Sequence, residues 1–249
     1  MGGGVNVPRT IIENCSGLYY NGNRTLVRNR EAAQRIVDQF FQTHERAIIK
    51  PTVDTNSGAN VGVLTSAEHI IGPEYRENYV VQEVIVNQSD VKALNPHSLN
   101  TFRIITYICD GELFCAPVIL RMGRGESHLD NAHAGGIFVG VKSDGSLCPY
   151  AYSEYGERFN KHPYSNIVFD GYRIKNFNLL TETALKCHTS VPHIKMISWD
   201  LTLNHDGYPT LIEQNLYGQA VWISQIAHGE AIFGDNTEKM LLEYGIKKH

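Results

Sequence analysis

No lysine- or arginine-rich stripe runs through this sequence. Its 22 Lys and Arg against 26 Asp and Glu leave a formal charge of -4, so a sequence-independent grip on a nucleic-acid backbone is not expected. No stretch approaches the roughly 18 continuous apolar residues of a membrane-spanning helix. The opening MGGGVNVPRT lacks the charged and apolar regions of a secretory signal. A cytoplasmic protein without a membrane span is therefore expected, and the Asn-x-Ser/Thr sequons at Asn14, Asn23 and Asn87 are then chance matches. Cysteine is scarce as well. Cys15, Cys109, Cys115, Cys148 and Cys187 are odd in number and scattered, without the close paired spacings of zinc sites or small disulfide scaffolds. They read as reduced, mostly buried thiols. The Walker A spacing G-x-x-x-x-G-K-[ST] is absent, and so is any nucleophile elbow or Cys–His spacing that would support covalent catalysis. HLDNAH sets His128 and His133 five apart, a spacing that builds no metal site by itself.

What is present is a chain of 249 residues, long enough to bury a substantial core as one large domain or two small ones. Strand-like and helix-like pieces alternate without an internal repeat, which favours a mixed α/β or α+β architecture. GLYYNGNRTLV carries an Asn-Gly step between two β-prone runs, a hairpin signal. Residues 30–42 place Ile36, Val37, Phe40 and Phe41 at helical spacing behind Asn29, a residue suited to capping. AIIKP, YVVQEVIV and the two runs around Asp110-Gly111 in TFRIITYICDGELFCAPVILR read as strands. GIFVGVKSDGSLCPYAY turns at Asp144-Gly145, and Leu179, Leu180, Thr183, Ala184 and Cys187 mark a helix that ends before Pro192.

The last hairpin, KMISWDLTLNHDGYPTLIEQN, can be read geometrically. With its loop centred near Asp206 and Gly207, Asp200 lies opposite Glu213, and side chains directly across an antiparallel pair sit about 5 Å apart on one face. Asn215 shares that face by alternation. Two carboxylates this close repel unless a cation lies between them. Magnesium suits such oxygen donors, whereas zinc usually takes His or Cys. An outward polar face on an edge hairpin would show the same three residues, and a one-residue change of register would break the pairing.

Lys50 closes an apolar strand directly before a loop containing Ser57 and Gly58. A point charge beside a loop whose N–H groups can approach oxygen closely suits a phosphate. A surface lysine would look alike. Arg103 and Arg121 stand near the two ends of the central hairpin, and arginine holds phosphate or carboxylate through a planar fork. An ideal two-residue turn would aim these two to opposite faces, and a three-residue loop with a bulge would bring them to one.

The ordered segments IIKPTVDTNSGANV, VVQEVI, NTFRIIT, LRMGRGESHLDNAHAGG, SWDLTL and LIEQN resemble the ATP-grasp superfamily, and most of all its sugar-transfer-associated branch. The match runs over most of the chain. The resemblance implies an α+β ATP-grasp fold in which two subdomains, 1–83 and 84–249, grip a nucleotide. The small one bears a flap loop, the large one the metal and substrate site. It also implies ATP and Mg2+ as cofactors. The activity it implies is that of an ATP-dependent carboxylate-amine, or carboxylate-nucleophile, ligase: ATP phosphorylates a carboxylate and an amine or similar nucleophile displaces phosphate. The substrates it suggests are a uronic-acid sugar and an amino acid, in polysaccharide biosynthesis. Carried over by position, Lys50 resembles the phosphate-binding lysine, Ser57 and Gly58 the flap, and Gln82, Glu83, Val84 and Ile85 the adenine hinge. Asp90 falls to the ribose and Asn131, Gly135 and Gly136 to the substrate-side loop. Arg103 and Arg121 resemble the arginines near the transferred phosphoryl group, and Asp200, Glu213 and Asn215 the metal ligands.

The chain departs from the family pattern at its start, where the usual N-terminal domain looks reduced or missing. No lysine precedes Lys50 to act as a second phosphate ligand, and neither Arg9, Arg24 nor Arg28 can be assigned in its place. A fragment, a homodimer that completes its site, or a nucleotide-binding module without chemistry would each fit. A carbohydrate- or protein-binding domain is a further alternative, with Tyr150, Tyr152 and Tyr155 suited to stacking on a sugar.

Overall fold

The computed structural model describes residues 5–53, 61–66, 77–125 and 135–244. They form two compact units, Pro8–Ile85 and a second that joins Met1–Val7 to Val86–His249.

In the first unit, strands β1 (Thr10–Cys15), β2 (Leu18–Asn21) and β3 (Leu26–Val27) precede helix α1 (Arg30–Phe41). Strands β4 (Ala47–Pro51), β5 (Gly62–Leu64) and β6 (Tyr79–Glu83) follow it. Their antiparallel sheet has the order β3-β2-β1-β6-β4-β5. The Asn29 side chain accepts the Ala32 N–H at 3.0 Å and so caps α1. Ala33, Val37 and Phe40, at spacings of four and three, then bury one helix face against Ile12, Ile49 and Val81. Because side chains alternate along a strand, burial of Ala47 and Ile49 sends Lys50 to the face away from α1. The strand TIIENC is a finding of the structure, since it carries neither a turn signal nor a clean alternation.

The second unit is built on β7 (Thr101–Cys109), β8 (Glu112–Cys115), β9 (Val118–Met122), β10 (Ile137–Val141) and β11 (Leu147–Ser153). Strands β12 (Arg158–Phe159), β13 (Met196–Leu203) and β14 (Pro209–Asn215) complete it. The order is β12-β11-β10-β9-β7-β13-β14, with β8 paired to β7. Helix α3 (Phe177–Thr189) packs Phe177, Leu180 and Ala184 against one face, among Phe102, Ile104 and Trp199. A buried Leu180 or Ile104 side chain contributes about 1.5–3 kcal/mol relative to exposure. Two further helices, α4 (Val221–His228) and α5 (Thr237–Tyr244), were not expected from the sequence. On the other face, α4 seats Ile223 and Ala227 on Ile119 and Phe138, while Ile105 and Tyr107 pack with Ile232 and Met240.

Two register shifts decide which side chains share that second face. The Asp110-Gly111 turn is a tight two-residue one, with both residues at positive φ (52° and 82°) and Cys109 opposite Glu112. Extended in that register, Arg121 would face away from Arg103. One extra residue around Ala116 and Pro117 changes the pairing, so that Arg103 lies opposite Ile119 and Thr101 opposite Arg121. The turn is thus the two-residue one, and a bulge after β8, outside the turn, brings Arg103 and Arg121 to one face. In the last hairpin the loop pairs Leu203 with Pro209 and Leu201 with Leu211, one residue short of the register expected from a loop centred at Asp206-Gly207. A bulge at Ile212 restores the count, and Asp200 does lie opposite Glu213.

The thiols are less buried than expected. Among them only Cys109 is fully buried, Cys15 is exposed, and Cys115, Cys148 and Cys187 are half-buried. Burial pushes the Cys115 thiol up to about 12, so it stays protonated. No helix among the described residues is long and apolar enough to cross a membrane.

Candidate functional site

Strands β7, β13 and β14 present one row of charge, since Asp200 has Arg103 as its partner on one side and Glu213 as its partner on the other. Asp200 is 2 % exposed. Arg103 grips it with a fork, Nε to Oδ1 at 2.9 Å and Nη2 to Oδ2 at 2.8 Å. Arg121 adds a third bond from Nη2 to Oδ2 at 3.1 Å, and the same guanidinium donates to Thr101 Oγ1 at 2.8 Å. Burial works to raise the Asp200 pKa; the charges and hydrogen bonds of Arg121 and Arg103 reverse that and hold the carboxyl below the ordinary range. Asp200 is thus a carboxylate, and the Arg103–Asp200–Arg121 triad carries one net positive charge. The two arginines offset the Asp200 charge within the protein itself.

Glu213 is exposed, and Asn215 is half-buried two residues on, opposite Ser198. Asp200, Glu213 and Asn215 therefore share a face of the edge hairpin. Two carboxylates and an amide offer hard oxygen donors. Among the described residues no group of three or more His, Cys, Asp and Glu converges.

The other expected residues divide. Lys50 is half-buried in β4 opposite Val80. The Gln82 amide donates weakly to Pro8 O and Thr10 Oγ1, both at 3.4 Å. Glu83 is tied twice to Arg9, its N–H donating to Arg9 O at 3.0 Å and its Oε1 accepting the Arg9 N–H at 3.1 Å. Val84 and Ile85 follow outside any strand. Asp90, which the resemblance assigns to the ribose, is engaged within the fold. Its Oδ1 accepts the Val91 N–H and its Oδ2 the Lys175 N–H at 2.7 Å, which joins the start of α2 (Ser89–Leu94) to the approach to α3. Gly135 has φ of 87°, a conformation open to glycine. Ser57, Gly58, Asn131, His128 and His133 lie outside the described residues.

Sequence reasoning missed the polar layer beneath the row. Asn87 Oδ1 accepts the Asn100 N–H at 2.9 Å, and Asn87 Nδ2 donates to Asn100 O and to Thr202 Oγ1. Asn100 Nδ2 donates to Val91 O and Asn95 O, and Ser98 Oγ donates to Asn100 Oδ1. Asn95 then donates to Gly123 O at 2.8 Å, where His162 Nε2 also bonds at 3.0 Å. These buried amides fix the end of β9, and with it Arg121, at full hydrogen-bond satisfaction. Buried Asn87 has no free amide for a glycan. Counting by twos from Asp200 would have found Ser198 and Thr202; nothing in the sequence signals the amide network.

This geometry, two antiparallel sheets with helices and an Arg–Asp–Arg cluster beside a Glu–x–Asn strand, belongs to an ATP-grasp fold. A family model described as sugar-transfer associated ATP-grasp matches residues 72–239, more than half of the chain, and the chain belongs to that family. Among solved structures, D-alanyl-alanine synthetase A from Vibrio cholerae superposes with a TM-score of 0.54 at 10% identity, over 95% of this chain and 59% of that one. The ATP-grasp ligase PsnB, solved with minimal precursor, Mg and ADP, gives 0.50 at 11% identity over 96% and 54%. The chain spans less than two thirds of either, and both likenesses speak to the fold. No curated protein matches.

Proposed function

We propose that this chain is an ATP-dependent ligase that activates a carboxylate as its acyl phosphate and passes the acyl group to an amine. The observation that carries this reading is the row Arg103–Asp200–Glu213 with Arg121 and Asn215 on the same face. It sets a net-positive guanidinium cluster beside exposed oxygen donors. The guanidiniums would hold the transferred phosphoryl group and the substrate carboxylate while Asp200 keeps both forks oriented. Glu213 and Asn215 fit a magnesium ion as hard donors, and Asp200 fits as a ligand shared with the arginines. Magnesium held by these residues would supply positive charge that lowers the repulsion between the phosphates and the incoming carboxylate. Lys50 is proposed for the ATP phosphates with Ser57 and Gly58, and the backbone of Val84 and Ile85 for adenine, since Glu83 already donates its N–H to Arg9. Asn131, Gly135 and Gly136 are proposed on the substrate side. The carboxylate oxygen attacks the γ-phosphorus as ADP leaves; the amine then attacks the acyl carbon as phosphate leaves. No protein nucleophile is needed. A uronic-acid sugar and an amino acid are the proposed pair, in polysaccharide modification.

A second reading, nucleotide binding without chemistry, is favoured by one observation: both Asp200 oxygens already rest on guanidiniums. Thermal unfolding with ATP, with and without Mg2+, tests the proposal. At about 100 times its dissociation constant the nucleotide should add about 2.7 kcal/mol, dependent on Mg2+ and abolished by Glu213→Ala. Screening uronic acids and amino acids for ADP release separates the two readings. Mg-dependent binding with release supports the ligase, and binding without it supports the second. No shift at all overturns both.

A further inference from the structure

Ser198 is fully buried on β13, and its Oγ has no hydrogen-bond partner among the described residues. Asn215, its direct partner on β14, has an Nδ2 that is buried and equally without a partner. Both belong to the face that carries Asp200 and Glu213, two residues along each strand. A buried polar group without a hydrogen bond is costly to the fold. Here two of them lie directly opposite each other on β13 and β14. Their chemistry is complementary, because a hydroxyl oxygen accepts and an amide NH2 donates. Directly opposed Cβ atoms lie about 4.5–5.5 Å apart, a gap that small side-chain rotations close.

We infer that Ser198 is a positioning residue for Asn215, its hydroxyl accepting the Nδ2–H and so turning Oδ1 outward as a cation ligand. The inference rests on the magnesium site proposed above. An asparagine amide presents either oxygen or NH2 to a ligand, and only the oxygen binds a cation. With Nδ2 held inward by Ser198, the flipped orientation is excluded before the metal arrives. The outward Oδ1 then needs no further selection. Partners of this kind behind a metal ligand typically alter affinity by about 10–100-fold.

The experiment titrates Mg2+ at fixed ATP and reads the concentration that gives half of the ATP-induced thermal shift. Ser198→Ala is expected to raise that concentration about ten-fold. It should leave the ligand-free melting temperature unchanged or higher, because an unpartnered buried hydroxyl is removed. Ser198→Thr restores the hydroxyl and should restore the midpoint. Asn215→Ala has neither an N–H to hold nor an oxygen to aim, so adding Ser198→Ala to it should change nothing more, a non-additivity read by the double-mutant cycle. An unchanged midpoint in Ser198→Ala, or effects that multiply in the double variant, overturns the inference while leaving the ligase reading in place. Absence of any Mg2+ dependence in the unaltered protein removes both.

Discussion

At the scale of single residues, the charges of Arg103, Asp200 and Arg121 are worth most when they are considered together. The two guanidinium side chains are 12% and 11% exposed and the carboxylate 2%, so none of the three can fall back on bulk water. Removing the shared anion leaves two cations facing each other in a poorly solvated place. Asp200→Ala should therefore cost about 3–5 kcal/mol, read as a shift in urea midpoint without ligand. Asp200→Asn keeps one oxygen acceptor and should cost less. Glu213→Ala, at an exposed position, should leave ligand-free stability within about 0.5 kcal/mol while removing Mg-ATP stabilisation. If Asp200→Ala proves as mild as Glu213→Ala, the triad is not a rigid unit. The carboxylate at Asp200 and its neighbours on β14 were legible because alternation is local. The arginine partners were not, because Arg103 and Arg121 lie 97 and 79 residues away in the chain, and only strand order brings them to it. Asp90 carries a bond that no sequence signal marks: its Oδ2 accepts the Lys175 N–H and so ties the start of α2 to the approach to α3.

At the scale of elements, the site is a matter of parity. Each strand hides or presents a residue according to whether its count is odd or even, and the bulge at Ile212 and the extra residue at Ala116-Pro117 set that count. The hairpins themselves were readable from Asp110-Gly111 and from the loop of LNHDGYP, but the bulges have no compositional mark. The expected Asp200–Glu213 pair emerged because the shorter loop register and the bulge cancel. This parity makes opposite forecasts for two single deletions in one strand. Deleting Ile212 removes the bulged residue and leaves Glu213 next after Leu211, still opposite Asp200 with Asn215 two further on. The Mg-dependent thermal shift by ATP should survive. Deleting Gln214 makes Glu213 and Asn215 adjacent, so one of them must turn to the core face whichever register β14 adopts. The shift should then be lost while far-ultraviolet circular dichroism still reports a folded sheet. Equal behaviour of the two deletions would refute the parity account. The helices show the same division between marked and unmarked signals. α1 declared itself through Asn29 and a clear apolar stripe, whereas α4 begins at Ala220 in the left-handed region without a side-chain cap, and no residue type announces it.

At the scale of the whole molecule, stability should fall in mild acid, and two buried histidines determine where. His188 is 1% exposed and His162 fully buried. Trp199 Nε1 donates to Thr106 Oγ1 at 2.8 Å, the Thr106 hydroxyl meets His188 Nδ1 at 2.6 Å, and His188 Nε2 meets Ile194 O at 2.7 Å. A carbonyl only accepts, so Nε2 carries the proton and Nδ1 accepts from Thr106. His162 has the same tautomer, with Nε2 on Gly123 O and Nδ1 accepting from the Tyr164 N–H. Burial lowers both pKa values below the ordinary 6.5, only partly countered by the bonds to the Ile194 and Gly123 carbonyls. Above pH 6.5 neither the folded nor the unfolded chain protonates these rings, and their stabilisation is fully present. Below it the unfolded chain takes up protons that the folded chain refuses. Stability is then lost at up to about 1.4 kcal/mol per pH unit for each ring, until the folded pKa is passed. Asp200 cannot mimic this, because a carboxylate with a lowered pKa loses its contribution only near and below the ordinary carboxylate pKa of about 4. Urea midpoints at pH 8, 6.5 and 5.5 should therefore be flat over the first interval and fall over the second. His188→Gln, which keeps a donor for Ile194 O and an acceptor for Thr106 without a titrating ring, should flatten that fall by about half. A midpoint that does not move between pH 6.5 and 5.5 would mean that these rings are not held neutral by the core.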